Sequence, residues 1–422
     1  MAPHVRGRAG GPAPPRRRAR ASAPTTVRLV ADVDQARPRS PTPLRRRLAG
    51  AVATWVAAAA VVVAAAHPEG CHPPTRGETR RAALAAVDWL ADNQTADGAF
   101  LYRYDRDAAR DLGGYSIVRH AGVLLSLAQA RSEGLPAAEG AYRSGLSWIE
   151  SRLVTVDGGR APALGPIVET GAAALLVTAL VEWREATAET AHDDLLRSLG
   201  TFLEARVTAE GAVVAFVDAQ TGTEDADSRS PFSTGEAAWA LAALHTTFPG
   251  EGWDRSALAV TRYIATDRDD AERRFPPVSD HWVAYALAEI GVEWDRPLDA
   301  DLRSLARRQA GLFGLQTRYE SQRREAGVVR WTRGPTALGA GVGTLGEGLG
   351  AILRLAAVDD EVAGWERDLE SRQRCVAGLL VDRQVAGAWF RQGVTQMDDQ
   401  QHALSALLAA LPFLHDDEGN DP

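Results

Sequence analysis

From residue 80 onward the chain alternates between two helical patterns. One is apolar almost all round and begins with a short polar cluster. It recurs six times, at 115–130 (YSIVRHAGVLLSLAQA), 167–183 (IVETGAAALLVTALVEW), 232–245 (FSTGEAAWALAALH), 278–291 (VSDHWVAYALAEIG), 344–357 (TLGEGLGAILRLAA) and 398–411 (DDQQHALSALLAAL). Such regular spacing is the mark of a repeat architecture. The other pattern is amphipathic, as at 78–94 (ETRRAALAAVDWLADNQ) and 193–207 (DDLLRSLGTFLEARV). A helix apolar on every side predicts burial within protein, and one with a charged face predicts an outer layer. Several outer helices run into a glycine turn and a short aromatic or β-branched piece: TADGAFLYRYD, TAEGAVVAFVD and VAGAWFRQGV. Glycine stops the helix there, and the residues after it suit brief strands.

Six alternations of outer and inner helix predict an all-α fold over 77–415: an (α/α)6 toroid of alternating outer and inner helices with short β-hairpins. Closure covers both ends of the array; a generic α-solenoid is the open alternative. In a closed ring the inner helices converge, and their N-terminal ends open at one mouth. Polar clusters placed there escape burial in the core and sit at the positive end of the helix dipoles. Aligning the copies on Ala240-Leu241, Ala286-Leu287 and Ala406-Leu407 puts Glu236, Glu347 and His402 at equivalent positions. Trp282 takes that place in the fourth copy and Thr170 in the second.

The mouth then gathers Tyr115, Arg119, His120, Glu169, Thr170, Thr234, Glu236, Asp280, His281, Trp282, Glu347, Asp398, Asp399, Gln401 and His402. Carboxylates among histidines and aromatics suit sugar chemistry. Glycosyl transfer needs one acid for the leaving oxygen and one base or nucleophile opposite it. Epimerisation or β-elimination at a uronic acid needs a proton abstractor, an acid and a cation for the carboxylate. The acid/base candidates are Glu236, Asp280 and Asp399. Tyr115, Arg119, His120, Glu169, His281, Trp282, Glu347 and His402 are the substrate-binding candidates. Each is also open to a simpler reading, since Asp280 and Thr234 are good N-cap types. No spacing of His or Cys suggests a zinc site, and no metal or cofactor is expected. GAGVGTLG (339–346) has the G-x-G-x-x-G spacing, but it leads into a helix and lacks the strand a dinucleotide site requires. Its glycines are expected to let a rim loop approach a ligand or a neighbouring helix.

Two stretches, RAALAAVDWLADNQTADGAF (81–100) and RCVAGLLVDRQVAGAWF (374–390), resemble the QW repeat of squalene and other terpenoid cyclases. The resemblance implies that Gln94 with Phe100, and Gln384 with Trp389, tie one hairpin to the next. Those cyclases protonate their substrate with D-x-D-D; QMDDQ (396–400) has Gln396 at the first position. The broader pattern resembles the six-hairpin glycosidases and related sugar epimerases and lyases. That resemblance implies a glycan or sugar-acid substrate in the central cavity.

Composition changes the picture mainly at the N-terminus. Residues 1–48 hold twelve Arg against Asp32 and Asp34, a balance of +10, which leaves −18 for the rest of a chain whose net charge is −8. An acidic folded part excludes a nucleic-acid binder. Residues 1–47 are rich in Arg, Pro and Ala and are expected to be a disordered cytoplasmic tail. Ala49 to Ala66 then runs 18 residues without a charge, directly after Arg45, Arg46 and Arg47. Over 48–67 this predicts a single transmembrane helix, with the arginine side in the cytoplasm and the bulk of the chain outside. A signal peptide cleaved near Ala64–Ala66 is the alternative. Outside the cytoplasm Cys71 and Cys375 could pair. The function expected is a membrane-anchored glycan- or uronic-acid-acting enzyme (hydrolase, epimerase or lyase). A non-catalytic glycan- or peptide-binding toroid and a terpenoid-cyclase-like enzyme are the alternatives.

Overall fold

A charged face on one helix and an apolar surface on the next dictate two concentric layers, and the architecture follows from that. The structure is a computed structural model. It describes residues 44–66, 70–224, 228–294, 296–337 and 339–416, without the side chains of 44, 45 and 63–66. The chain divides into two units, Met1–His67 and Pro68–Pro422.

In the first unit Leu44–Ala66 forms helix α1. Up to position 43 the expected tail lies outside the described residues. So do position 67 and the last side chains of the expected membrane segment. Among the described residues no helix is long and apolar enough to cross a membrane.

The second unit consists of six helical hairpins. Outer α2 (Arg76–Asp92) leads to inner α3 (Ile117–Ser132), α4 (Ala138–Glu150) to α5 (Thr170–Thr187), and α6 (Asp193–Ala205) to α7 (Ser233–Thr247). Outer α8 (Trp253–Thr266) is followed by the short α9 (Arg268–Ala271) and inner α10 (His281–Ala288). Outer α11 (Ala300–Ser321) is followed by the short α12 (Gly327–Arg333) and inner α13 (Gly339–Ala356). The short α14 (Asp360–Ala363) precedes outer α15 (Glu366–Arg383) and inner α16 (Met397–Ala410). Each inner helix packs on the next, and α16 packs on α3. The ring is therefore closed, which excludes the open solenoid. Burial follows the two patterns. Every residue of α5 from Thr170 to Val181 is buried, whereas α6 buries one face through Leu195, Leu196, Leu199, Phe202 and Leu203.

Among the described residues nine short strands line the connections: β1 (Arg103–Asp105), β2 (Arg110–Asp111), β3 (Leu153–Val156), β4 (Gly159–Leu164), β5 (Ile167–Glu169), β6 (Phe216–Asp218), β7 (Gln384–Val385), β8 (Ala388–Trp389) and β9 (Val394–Gln396). They form antiparallel sheets in the orders β2-β1-β9, β3-β4-β5-β6 and β7-β8. The β3–β4 hairpin had no sequence signal beyond Asp157-Gly158 between its strands.

Closure is reinforced where the first and last hairpins meet. β1 pairs with β9 in the register Arg103↔Gln396, Tyr104↔Thr395 and Asp105↔Val394. Gln384 Nε2 donates to the Ala82 carbonyl of α2 at 2.8 Å, and Gln94 Nε2 donates to Ala141 of α4 at 3.0 Å. Both glutamines thus tie one outer helix to the next, as the cyclase-like repeat implied. The turn glycines explain why the motif recurs. Gly98 and Gly387 have positive φ, and a Cβ on either would run into a carbonyl of the neighbouring outer helix, Ser144 or Ala85. A disulfide joins Cys71 to Cys375 of α15, 304 positions apart.

GAGVGTLG lies within α13 rather than in a rim loop. A Cβ at Gly343 would meet the His402 backbone, and one at Gly346 would meet Ala406. These glycines let α13 and α16 approach closely, which brings Glu347 and His402 together.

Candidate functional site

The N-terminal ends of the inner helices surround a cavity of about 450 Å³. Val118 and Arg119 reach it from α3, Leu175 from α5, Glu236 from α7, His281 and Trp282 from α10, Ala340, Gly341 and Thr344 from α13, and Asp398, Gln401 and His402 from α16. Four other surface cavities, of about 320 to 570 Å³, contain no imidazole.

Glu236 is 5% exposed. Burial, and then the charges of Asp280 and Glu169, push its carboxyl up to about 8. At neutral pH it is protonated and able to donate. Small residues make this placement possible: a Cβ at Gly171 of the adjacent helix would overlap the Glu236 carboxylate.

Beside it lies a wall of three groups. His402 Nδ1 is 2.6 Å from Glu347 Oε2. Burial opposes the charge on His402, but the Glu347 carboxylate and their hydrogen bond outweigh it and raise its pKa. Burial raises Glu347 above the usual carboxylate range, with His402 acting against the rise. His281 Nε2 lies 3.9 Å from the same Glu347 oxygen, beyond hydrogen-bond reach. Burial, then the neighbouring His402, hold His281 well below the ordinary imidazole value, so its ring is neutral. Neither ring nitrogen of His281, nor Oε1 of Glu347, has a hydrogen-bond partner among the described residues. The three donor atoms lie within 4.8 Å of one another, and these residues could hold a metal ion. Their positions, 281, 347 and 402, come from three different hairpins, so no linear spacing signals them.

Arg119 and Asp398 form the polar rim. Arg119 Nη2 is 3.3 Å from Asp398 Oδ2, and its Nη1 donates to Tyr102 and to Gln396 Oε1. Trp282 lines the cavity while only 2% exposed, with Trp239 5.9 Å away between ring centroids.

Other expected site residues are engaged elsewhere. Asp280 does not line the cavity. It caps α10 by accepting from Val283 N, and it pairs with fully buried Arg268 at 2.5 Å. Asp399 accepts from the Gln396 and Ala340 amides, both at 3.0 Å, so each of its oxygens secures a helix N-terminus. His120 is wholly buried, held between the Tyr115 hydroxyl at 2.7 Å and the Gly145 carbonyl at 2.8 Å, and stacks on Trp148. Its Nε2 donates to that carbonyl, so Nδ1 accepts from Tyr115; burial lowers its pKa to about 3. Tyr115 and His120 thus pin the first hairpin to the second. Glu169 precedes α5 and acts on the site through its charge beside Glu236. Thr170 donates to the Val214 carbonyl at 2.6 Å. Sequence reasoning passed over Phe232, Ser279 and Gln316, which also line the cavity. Gln316 comes from outer helix α11, where no polar cluster draws attention to it.

No protein-family model matches the chain, and no curated protein sequence does. Solved structures do. A sugar epimerase from a ruminal bacterium superposes with a TM-score of 0.56 at 13% identity, covering 79% of this chain and 97% of that one. Cellobiose 2-epimerase from Spirochaeta thermophila gives 0.53 at 14%, covering 80% and 97%. A family 76 glycoside hydrolase (mannosidase) from Bacteroides thetaiotaomicron gives 0.52 at 11%, covering 80% and 98%. At such identities the likeness establishes the fold alone: the helices from Arg76 to Ala410 form an (α/α)6 toroid.

Proposed function

We propose that this protein is a carbohydrate-active enzyme working by general acid/base chemistry in the mouth of the toroid. The observation that carries the reading is that buried Glu236 lines the same cavity as His402, which is hydrogen-bonded to Glu347, with burial pushing the Glu236 carboxyl up to about 8. Proton transfer needs an acid and a base poised near neutral pH, and burial with neighbouring charges supplies both. Glu236 is the acid in this reading. His402, oriented by Glu347, exchanges the second proton, neutral His281 accepts or donates a hydrogen bond, and Arg119 binds an anionic or hydroxyl-rich substrate. Trp282 gives a sugar ring a face to stack on.

The sugar epimerase and the cellobiose 2-epimerase among the structural neighbours support proton transfer at a sugar carbon. A second reading, hydrolysis, is favoured by the presence of Asp398 on the same cavity as Glu236, since glycosidases use two carboxyl groups. The charged lining disfavours an isoprenoid substrate, which needs an apolar aromatic wall. A non-catalytic binder would not need Glu236 to be a proton donor.

The test is a screen of the full chain against neutral and uronic-acid oligosaccharides, followed in deuterated water. Deuterium entering a ring carbon supports epimerisation, new reducing ends support hydrolysis, and binding without turnover supports the binder.

The anchor is part of the same proposal. Arg45–Arg47 and the uncharged run from Ala49 to Ala66 support a single membrane pass with the toroid outside the cytoplasm. Exposed Leu48, Val52, Trp55 and Val56 on α1 and the disulfide add support. A reporter fused after Pro422 should be active only outside the cytoplasm; cytoplasmic activity would remove this part of the reading.

A further inference from the structure

We propose that His281, Glu347 and His402 form a binding site for one divalent first-row transition ion, with zinc the preferred species. The case begins with unmet bonding capacity. His281 is 2% exposed and Glu347 is wholly buried, yet both ring nitrogens of the first and Oε1 of the second lack partners among the described residues. Buried polar atoms are normally paired, and such orphans call for an unseen partner. All three side chains turn toward one point. His402 Nδ1 and Glu347 Oε2 are 2.6 Å apart, His281 Nε2 and Glu347 Oε2 are 3.9 Å apart, and the whole donor set fits within 4.8 Å. Bonds of about 2.0–2.2 Å around a tetrahedral ion impose donor separations of roughly 3 to 3.5 Å. The two observed distances bracket that range, so an ion needs only small side-chain rotations.

The chemistry of the set chooses the class of ion. Two imidazoles and one carboxylate suit zinc and its first-row neighbours rather than calcium or magnesium, which prefer oxygen. Three protein ligands leave a coordination position, and His281 and His402 both line the cavity, so that position faces the open mouth. Structural zinc sites are closed by four protein ligands; an open fourth position is the arrangement of sites that bind water or substrate. The rigid scaffold also fits. The ligands sit in α10, α13 and α16, and Gly343 lets α13 press against the His402 backbone. An ion would occupy the same His402 Nδ1 and Glu347 carboxylate that the acid/base reading uses to exchange a proton, so the two readings are alternative states of one site.

The test uses the full chain, stripped with a chelator and titrated calorimetrically with zinc chloride. One equivalent should bind. His281→Gln, Glu347→Gln and His402→Gln should each weaken binding by about 100-fold or more, as loss of a ligand exceeds the effect of losing a supporting group. His245→Gln, at a histidine outside the cavity, should leave it unchanged. If a ligand variant fails to fold by circular dichroism, the unsubstituted chain loaded with cobalt(II) carries the test. Intense visible bands of four- or five-coordination support the site, and the weak bands of a six-coordinate aquo ion overturn it. Absence of binding, or binding that survives in all three variants, also overturns it. A stripped chain that binds no ion yet turns over a sugar sinks the metal site and leaves the acid/base reading standing. A chain that binds one ion through these residues but turns over no sugar does the reverse.

Discussion

The two ends of the ring both carry carboxyls with raised pKa values, and they are built differently. At the mouth Glu236 is pushed to about 8, chiefly by burial, and shares a cavity with His281, His402 and Arg119. At the opposite end, where the inner helices finish, burial first and then Glu185 push Glu182 to about 8, and burial pushes Glu289 to about 7. That end has a cavity of about 320 Å³ lined by Glu182, Tyr285 and Arg354, without an imidazole. Helix dipoles favour anions at the mouth and disfavour them at the far end. A raised pKa therefore does not mark a site by itself. The mark is a raised acid beside a group of opposite bias, on a surface a ligand can reach.

The largest effect expected is on turnover. Glu236→Gln should lower the rate by about 10²- to 10⁴-fold, the usual contribution of a general acid. Glu182→Gln should leave the rate unchanged. Steady-state rates on whichever sugar the screen identifies decide it, and equal losses at the two ends would erase the distinction.

Next in size is a stability effect at the N-terminus of α10, behind the cavity wall. Asp280→Ala takes from fully buried Arg268 its hydrogen-bonded carboxylate and leaves it only Asp269, at 3.8 Å. Breaking such a pair costs about 3–5 kcal/mol. Denaturant unfolding should show that loss; a rate defect in a variant of normal stability would return Asp280 to the chemistry.

The pH profile of stability sharpens the comparison further. Glu236, Glu182 and Glu289 are raised from an ordinary value of 4.5 to about 8, 8 and 7. Above the unfolded value the unfolded chain loses these protons while the folded chain keeps them. The folded state binds more protons, so stability falls as pH rises from about 4.5 to about 8. Glu182→Gln and Glu289→Gln should each flatten that slope in thermal melts. A slope unchanged by both substitutions would mean that these carboxyls are ionised in the fold.

The smallest effect lies away from both ends. Gln384→Ala removes the hydrogen bond that ties the last hairpin to the first, and it should cost about 1 kcal/mol with the rate retained.

Particular residues mark the limit of what the sequence makes legible. Apolar periodicity identified all six inner helices, because a helix buried on every side has no polar face to blur the pattern. The polar heads of those helices located the mouth, since polar groups gather where the core ends. The same signal could not sort the residues within a head. Asp280 and Asp399 look as catalytic as Glu236 in one dimension. Their carboxylates are nonetheless taken by Arg268 and Val283 N, and by the Gln396 and Ala340 amides. His120 likewise became a buried pin between hairpins, through Gly145 and Tyr115. Partners of that kind are supplied by neighbouring turns and by other hairpins.

Periodicity is local, so the chain alone determined the layers, the number of hairpins and the end of the ring that is polar. Closure brought donor atoms of His281, Glu347 and His402 within 4.8 Å of one another, although 121 positions separate the first from the last. Only tertiary packing decided that, because donor convergence depends on how closely α13 and α16 approach. Gly343 and Gly346 allow that approach only where a neighbouring helix lies against them.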